Sequence, residues 1–180
     1  LWQGREDPYL YKVVSRLWQD GKVIDEMVQP LGLRNYDIVA GKGFFLNGKK
    51  SPMYGVTRHQ DWWGVGSALK NEHHDFDLAT IMDLGATTVR FAHYQQSDYL
   101  YSRCDSLGLI IWAEIPFVNR VSGKEWENAH QQMRELIRQS FNHPSIYIWG
   151  THNEVYHPHG YTASLTQSLH DLCKTEDPDR

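Results

Sequence analysis

Four short apolar segments of the chain each end in side chains that can bind or protonate a polar substrate. The residues in question are Arg58, His59, Gln60 and Asp61; Arg90, His93 and Tyr94; Glu114; and Asn153 and Glu154. In parallel α/β folds the chemistry lies where strands end and the following loops begin, so these residues are expected to meet at one rim. Such convergence is typical of an enzyme that acts on a polar substrate.

Two carboxyl groups in this set could together hydrolyse a glycosidic bond. Glu154 is flanked by Trp149 and Tyr156, and partial burial between aromatic rings favours the protonated form that a general acid needs. A salt-bridged loop glutamate is the alternative interpretation of the same position. Glu114 is the second candidate, because paired carboxyls lie about 5–5.5 Å apart in retaining glycosidases and about 6.5–9.5 Å apart in inverting ones.

The elements that must position these residues alternate between strand and helix from residue 52 onward. The predicted strands span 53–57, 87–92, 109–113 and 145–149. The predicted helices span 75–84, 97–107, 129–141 and 165–173, and Gly85, Gly108 and Asp177-Pro178 end three of them. Four βα units indicate an α/β architecture with a parallel sheet.

The number of βα units predicts the first half of a (β/α)8 TIM barrel. A closed barrel needs about 250 residues, which is more than the chain holds after its β-rich beginning. A small doubly wound sheet is the alternative, but no glycine-rich phosphate loop follows the first strand. We therefore favour half a barrel over residues 41–180.

The first forty residues predict antiparallel strands instead. Asp20-Gly21 is a hairpin dipeptide between two segments with loose apolar alternation, and Asn47-Gly48 gives a second hairpin signal. Two or three such strands cannot bury a sheet face by themselves. We therefore predict that residues 1–40 are the last strands of a β-sandwich domain whose earlier strands are missing.

The composition excludes several classes of protein. The 180 residues carry 18 Lys and Arg against 22 Asp and Glu, a net charge of −4, so no nucleic-acid partner is expected. No apolar run approaches the roughly 18 residues of a membrane span, so we expect a soluble protein with no membrane partner. Cys104 and Cys173 make neither a disulfide framework nor a metal cluster, and we expect both to be buried.

Three other features have an ordinary interpretation and a functional one. His73-His74 and His157-Pro158-His159 could suggest a metal, but they lack cysteines and helical i, i+4 spacing, so solvated histidines are expected. Trp62-Trp63 could stack on a sugar or simply pack. The first residues lack a signal-peptide pattern and do not begin with Met, so we expect the chain to start inside a longer protein, and its compartment stays unknown.

Six motifs, in order, resemble glycoside hydrolase family 2. They are GKGFFLNGK at 41–49, GVTRH at 55–59, VRFAHY at 89–94, AEIP at 113–116, NHPS at 142–145 and NE at 153–154. The N-terminal segment also looks like the end of that family's Ig-like sandwich domain. Within the family, the motifs are most similar to those of β-galactosidases. The resemblance therefore implies a retaining exo-β-glycosidase, with β-D-galactosides as the expected substrates.

The resemblance also implies roles for individual residues. Glu154 matches the family's acid/base, and Asn153 before it matches a residue that contacts the sugar 2-hydroxyl. Arg90 matches an arginine that supports the nucleophile, while His59 and His93 match imidazoles that line the sugar subsite. The nucleophile itself is a glutamate after the seventh strand, outside this chain.

Two assignments within the set stay less specific. Glu114 matches a strand-end acid that more plausibly supports the site than reacts, which weakens its pairing with Glu154. We retain it among the substrate-binding candidates. Arg58 is placed there too, with pairing to an acid as the equal alternative.

Departures from the family leave several properties open. Val118, Asn119 and Arg120 stand where metal-dependent members carry a Glu and a His, so we predict no magnesium site, no other metal and no cofactor. A carbohydrate is the expected partner, and the oligomeric state of the longer parent stays open, a homo-oligomer included. A β-glucuronidase, a β-mannosidase or a non-catalytic carbohydrate-binding module are the alternatives, and a glutamate after a seventh strand would exclude the last of these.

Overall fold

The computed structural model describes residues 1–157 and 159–180 and contains nine strands and four α-helices within them. A 3₁₀ turn (Gly4–Glu6) precedes the strands. The strands are β1 (Tyr11–Gln19), β2 (Lys22–Leu31), β3 (Tyr36–Val39), β4 (Gly43–Leu46), β5 (Lys49–Lys50), β6 (Gly55–Arg58), β7 (Thr88–Phe91), β8 (Ile110–Glu114) and β9 (Ile146–Gly150). The helices are α1 (Asn71–Asp83), α2 (Asp98–Leu107), α3 (Trp126–Ser140) and α4 (Tyr161–Glu176).

Strands β6 to β9 form a parallel sheet in chain order, and one α-helix follows each of them. Alternate residues of the strands face the helices and build the main core. Val89, Phe91 and Ile111 are fully buried there against Leu100 and Met133. The predicted α/β architecture with four βα units is confirmed, and the carboxyl ends of the four strands define what we call the upper rim.

The observed helix bounds differ from the predicted ones at the start of α1 and agree with them at the end of α2. Helix α1 begins at Asn71, four residues before the predicted start, because its first turn is polar and carries no apolar period to detect. Helix α2 ends as predicted at Gly108, which has a left-handed φ of 75°. A Cβ on Gly108 would lie 2.2 Å from the carbonyl of Gly4, so both backbone conformation and packing require glycine there.

The lower end of the sheet, where β6 to β9 begin, is covered by the strands β3 to β5. Phe44 and Leu46 pack with Trp2 and Ile110 in a second apolar cluster. The pairing of β3 with β4 runs from Tyr36 opposite Leu46 to Val39 opposite Gly43. Gly41 lies in the turn between β3 and β4, and Gly43 is the first residue of β4. The division into two domains after residue 40 stays a prediction.

Strands β1 and β2 form a separate antiparallel ribbon. Its turn lies at Asp20-Gly21 as predicted, and Asp20 and Gly21 both have positive φ. Apolar side chains on both faces are exposed, among them Leu17, Trp18, Ile24 and Met27. Within the described residues the ribbon packs on no second sheet, so its assignment to a β-sandwich stays a prediction.

The predicted burial of both cysteines is confirmed. Cys104 and Cys173 are buried on the apolar faces of α2 and α4. Burial raises the pKa of the Cys173 thiol to about 11 and that of the Cys104 thiol further still. None of the helices described here is both long enough and apolar enough to cross a membrane.

Candidate active site

A buried ion pair lies at the centre of the upper rim. Arg90 on β7 donates from Nε to Oε2 of Glu114 on β8 at 2.9 Å, and from Nη2 to Oε1 at 3.0 Å. The Glu114 side chain is 0% exposed, whereas that of Arg90 is 26% exposed. The Arg90 guanidinium also lies 4.7 Å from the ring centre of Trp112, a cation–π contact that fixes its plane.

One more residue after β7 and one after β9 join this pair through their side chains. Oε1 of Glu114 lies 2.7 Å from Nδ1 of His93, which follows β7. The same Arg90 Nη2 donates to Oδ1 of Asn153, just past β9, at 2.8 Å. The Glu114 carboxylate can only accept, so Nδ1 of His93 is the donor, and Nε2 of His93 has no hydrogen-bond partner among the described residues. We call Arg90, Glu114, His93 and Asn153 the rim network.

His59 lies next to the rim network, one residue past β6. Its ring centre is 5.1 Å from that of His93 and 6.5 Å from that of Tyr94. The Tyr94 hydroxyl accepts the backbone N–H of Gln60 at 3.0 Å, which joins the loops after β6 and β7. The predicted convergence of the strand ends is therefore present for His59, Arg90, His93, Glu114 and Asn153.

Arg58 lies on the opposite face of the sheet, which does not support its expected contact with substrate. Adjacent residues of a strand point to opposite faces, so Arg58 faces the helices while His59 faces the rim. Its guanidinium is buried and bonds Asp77, Gln96 and His74 at 2.6–2.9 Å. The alternative expectation, that it pairs with an acid, matches the ion pair with Asp77.

Glu114 likewise has no free oxygen to offer a sugar. Both of its carboxylate oxygens accept from Arg90 and His93, and the side chain is fully buried. This geometry fits a residue that positions others, and it does not favour the Glu114–Glu154 pair as the two reacting carboxyls. The signal in the sequence was its place at the end of a wholly apolar strand.

Glu154 follows Asn153 on a loop that continues the line of β9. The backbone N–H of Asn153 donates to the Phe117 carbonyl at 2.9 Å. Glu154 itself has a φ of 48°, a left-handed conformation that costs a non-glycine residue about 1–2 kcal/mol. Backbone strain of this kind is concentrated at functional sites, which makes Glu154 stand out from the other loop glutamates.

The expected burial of Glu154 between aromatic rings is not found within this chain. Trp149 turns to the helix face, where its Nε1 donates to Asp177 at 2.9 Å. Tyr156 is half exposed, and Glu154 is exposed as well. Trp149 is close to Glu154 in the sequence, but the pleat of β9 directs its side chain away from the rim.

Gly150 is a rim residue that the sequence analysis did not single out. A Cβ at this position would lie 2.3 Å from Nε1 of Trp112 and 2.6 Å from Cβ of Glu114. Glycine therefore lets β9 approach β8 closely enough for Asn153 to reach Arg90. A glycine at the end of an otherwise bulky strand is the signal that could have found it.

The first histidine pair lies in α1, where His74 is buried and not solvated as expected. His73 accepts the backbone N–H of Lys70, and His74 contacts Arg58. Pro158, within the second histidine motif, lies outside the described residues. Trp62 packs against His73 and Phe76. Trp63 is 96% exposed, so sugar stacking by this residue stays a prediction.

Comparison with known protein families places this chain in a class of glycosidases. The family described as "Glycosyl hydrolases family 2, TIM barrel domain" matches residues 38–180, and "Glycosyl hydrolases family 2" matches residues 1–34. The chain belongs to glycosyl hydrolase family 2, as its motifs indicated.

Individual relatives carry two different activities in their names. A Bacteroides fragilis protein named beta-glucuronidase is 46% identical over all of this chain and 27% of its own length. A Thermoanaerobacter pseudethanolicus protein named beta-galactosidase is 30% identical over 94% of this chain and 23% of its own length. The chain thus spans about a quarter of the length of the curated relatives it matches.

Solved structures give the same division. A Bacteroides fragilis structure, provisionally named a beta-galactosidase, is 84% identical with a TM-score of 0.98, over 100% of this chain and 27% of that chain. The FMN-binding beta-glucuronidase of Facaelibacterium prausnitzii L2-6 is 41% identical with a TM-score of 0.94, over 98% of this chain and 28% of that chain.

Proposed function

We propose that this chain supplies the acid/base half of the active site of a retaining exo-β-glycosidase. The observation that carries the proposal is the rim network, which ties three parallel strands together and ends at Asn153, immediately before Glu154. The family shares this class of chemistry, and the site has the polar groups that a sugar needs. The nucleophile would come from a strand beyond residue 180.

Glu154 is the residue to which we assign proton transfer in both steps. In the first, its carboxylic acid donates a proton to the glycosidic oxygen while the nucleophile carboxylate attacks the anomeric carbon and the aglycone leaves. In the second, the Glu154 carboxylate takes a proton from water as that water attacks the same carbon and frees the nucleophile. Exposure of Glu154 on the rim leaves its carboxyl accessible for this work.

The rim network would position the sugar rather than react with it. Glu114 holds Arg90 and His93 by bonds to both of its oxygens, so the two donors keep one orientation as charge develops. Asn153, held by Arg90, is placed to bind the sugar 2-hydroxyl. His59 and His93 would line the subsite with their rings 5.1 Å apart.

For the sugar itself we favour a terminal β-glucuronide. The relatives named beta-glucuronidase are 46% and 41% identical to this chain, and two curated beta-galactosidases are 30% and 32% identical. The galactoside expected from the motifs stays the second candidate, supported by the provisional name of the Bacteroides fragilis structure. A panel of 4-nitrophenyl β-glucuronide, β-galactoside and β-mannoside on the full-length protein separates them by kcat/KM.

The decisive test of the acid/base role is Glu154→Ala in the full-length protein. General acid–base catalysis contributes roughly 100- to 10,000-fold, so turnover of a phenyl glycoside should fall by about that factor. A 2,4-dinitrophenyl glycoside needs little protonation, so formation of its glycosyl-enzyme should be nearly unaffected, and azide should accelerate the second step. The products should include the glycosyl azide.

Glu127→Ala is the matched control, because Glu127 is an exposed glutamate in the first turn of α3. It should leave every rate unchanged. If Glu154→Ala matches the control on phenyl glycosides, Glu154 is not the acid/base. A full-length protein that binds the sugars without hydrolysing any of them would instead support a carbohydrate-binding module.

A further inference from the structure

The loop that carries Glu154 is held on both sides by one residue of a different loop. Asn119, after β8, donates its backbone N–H to the Asn153 carbonyl at 3.2 Å. Its own carbonyl accepts the backbone N–H of Tyr156 at 2.9 Å. Residue 119 is thus bonded immediately before and shortly after Glu154, which lies between its two partners.

This double contact depends on an unusual backbone conformation. Asn119 has a φ of 61°, in the left-handed region, where asparagine is tolerated and β-branched residues are not. On its N-terminal side, Val118 pairs with Asn153 in parallel register, as an extension of the β8–β9 pairing. The left-handed turn at Asn119 ends that extension, so that its N–H and C=O bond residues on both sides of Glu154.

The side chain of Asn119 takes no part in the two contacts with the loop that carries Glu154. It is exposed, and the hydrogen bonds that residue 119 makes to other described residues come from its backbone. What the site uses is the conformation of the backbone at residue 119. Glu154 is left-handed as well, with a φ of 48°, so the loop geometry around it needs outside support.

We propose that Asn119 is a positioning residue for the acid/base: its left-handed backbone fixes the loop that aims the Glu154 carboxyl at the glycosidic oxygen. This inference rests on the function proposed above for Glu154. Residue 119 would touch neither substrate nor reacting atoms. Its effect is confined to the placement of one carboxyl, and the effect should therefore depend on how much protonation the leaving group requires.

The test compares three variants of the full-length protein on two substrates. Asn119→Pro removes the backbone N–H and imposes a negative φ, and Asn119→Val disfavours the left-handed region. Asn119→Gly retains both the N–H and access to the left-handed region. For a phenyl glycoside we expect kcat/KM to fall about tenfold or more in the Pro and Val variants, part of the roughly 100-fold or larger contribution of a general acid. For the 2,4-dinitrophenyl glycoside of the same sugar it should change by less than about threefold, because little protonation is needed.

Asn119→Gly should match the unmodified protein on both substrates. Asp20→Val is the control for the cost of a β-branched residue in a left-handed position, because Asp20 has a φ of 50° in the exposed β1–β2 turn. It should leave both values of kcat/KM unchanged.

Three outcomes would overturn the inference. One is an equal loss on both substrates in the Pro and Val variants, the second is no loss on either, and the third is an Asn119→Gly variant as impaired as Asn119→Val. Glu154→Ala, measured in parallel, keeps the two proposals apart. If that variant lacks the leaving-group dependence, the acid/base assignment itself fails, whatever the Asn119 variants do.

Discussion

Two buried carboxylates at opposite ends of the same sheet make similar bonds for different purposes. At the upper rim, Glu114 bonds His93 and Arg90. At the lower end, Asp105 on α2 bonds Nδ1 of His143 at 2.6 Å and both the hydroxyl and the N–H of Ser145. Each carboxylate is almost completely buried, and each has an imidazole at hydrogen-bonding distance.

The two carboxylates differ in the exposure of the residues that they bond. Around Asp105 the partners are themselves closed in, since Ser145 is buried and His143 is only 12% exposed. Around Glu114 both partners are about one quarter exposed and face the rim. A buried, hydrogen-bonded acid therefore does not mark an active site by itself; its partners must reach the side where the parallel strands end.

The largest effect that this comparison predicts is a loss of stability at the lower end. Asp105→Ala leaves the Ser145 hydroxyl and N–H and the His143 ring without a partner, which should cost about 3 kcal/mol of unfolding free energy. The urea midpoint of the full-length protein measures it. The kcat/KM of the fraction that stays folded should be unchanged, because no partner of Asp105 faces the rim.

Asp105→Asn is the conservative control and should cost less, since its amide oxygen can still accept from Ser145. An Asp105→Ala protein of full stability but low kcat/KM would contradict the division of roles between the two ends.

At the rim, the corresponding substitution should act on rate. Glu114→Gln retains the shape of the side chain but removes the charge that holds Arg90 and His93. We expect kcat/KM to fall about 100-fold, the size typical of losing one preorganised polar group at an active site. Steady-state kinetics with a 4-nitrophenyl glycoside, at a temperature where circular dichroism shows the variant folded, measures the effect. Unchanged kinetics would remove the rim network from the proposed function.

Much of this division could be predicted from the sequence, because it follows chain order. Strand ends and the loops after them are local features, so His59, Arg90, His93 and Asn153 were identifiable as residues of one rim. The identity of the bonded partners was not local. Nothing in the spacing could tell that Glu114 would be closed in by Arg90 and His93.

The face of the sheet to which each strand residue points was the second property that could not be predicted from the sequence. Arg58 and His59 are adjacent, and both looked suited to a sugar. A pleated strand sends them to opposite faces, and which one faces the rim depends on packing against α1. The same alternation carries Trp149 away from Glu154. Backbone conformation was the third, since the left-handed φ of Asn119 and Glu154 arises from contacts between two loops.

The smallest expected effect is on the pH dependence of stability. It involves His74, which bonds Arg58 on the helix face of the sheet together with Asp77 and Gln96. Burial and the neighbouring Arg58 guanidinium lower the pKa of His74 below the ordinary 6.5, with Asp77 acting in the opposite direction. The unfolded chain therefore binds a proton that the folded chain resists, so the His74 contribution to stability is complete above about pH 6.5 and declines as the pH falls below it.

Replacing His74 with glutamine tests the direction of this pH dependence and extends the comparison to the helix face of the sheet. The urea midpoint should drop between pH 7.5 and pH 5.5 by less in His74→Gln than in the unmodified protein, because glutamine does not titrate in that range and can still accept from Arg58. The difference between the two proteins isolates His74 from other histidines such as His152. Since the cluster faces α1 and not the rim, kcat/KM at pH 7.5 should be the same in both. A rate that fell with His74→Gln would mean that the helix face of the sheet also controls the site.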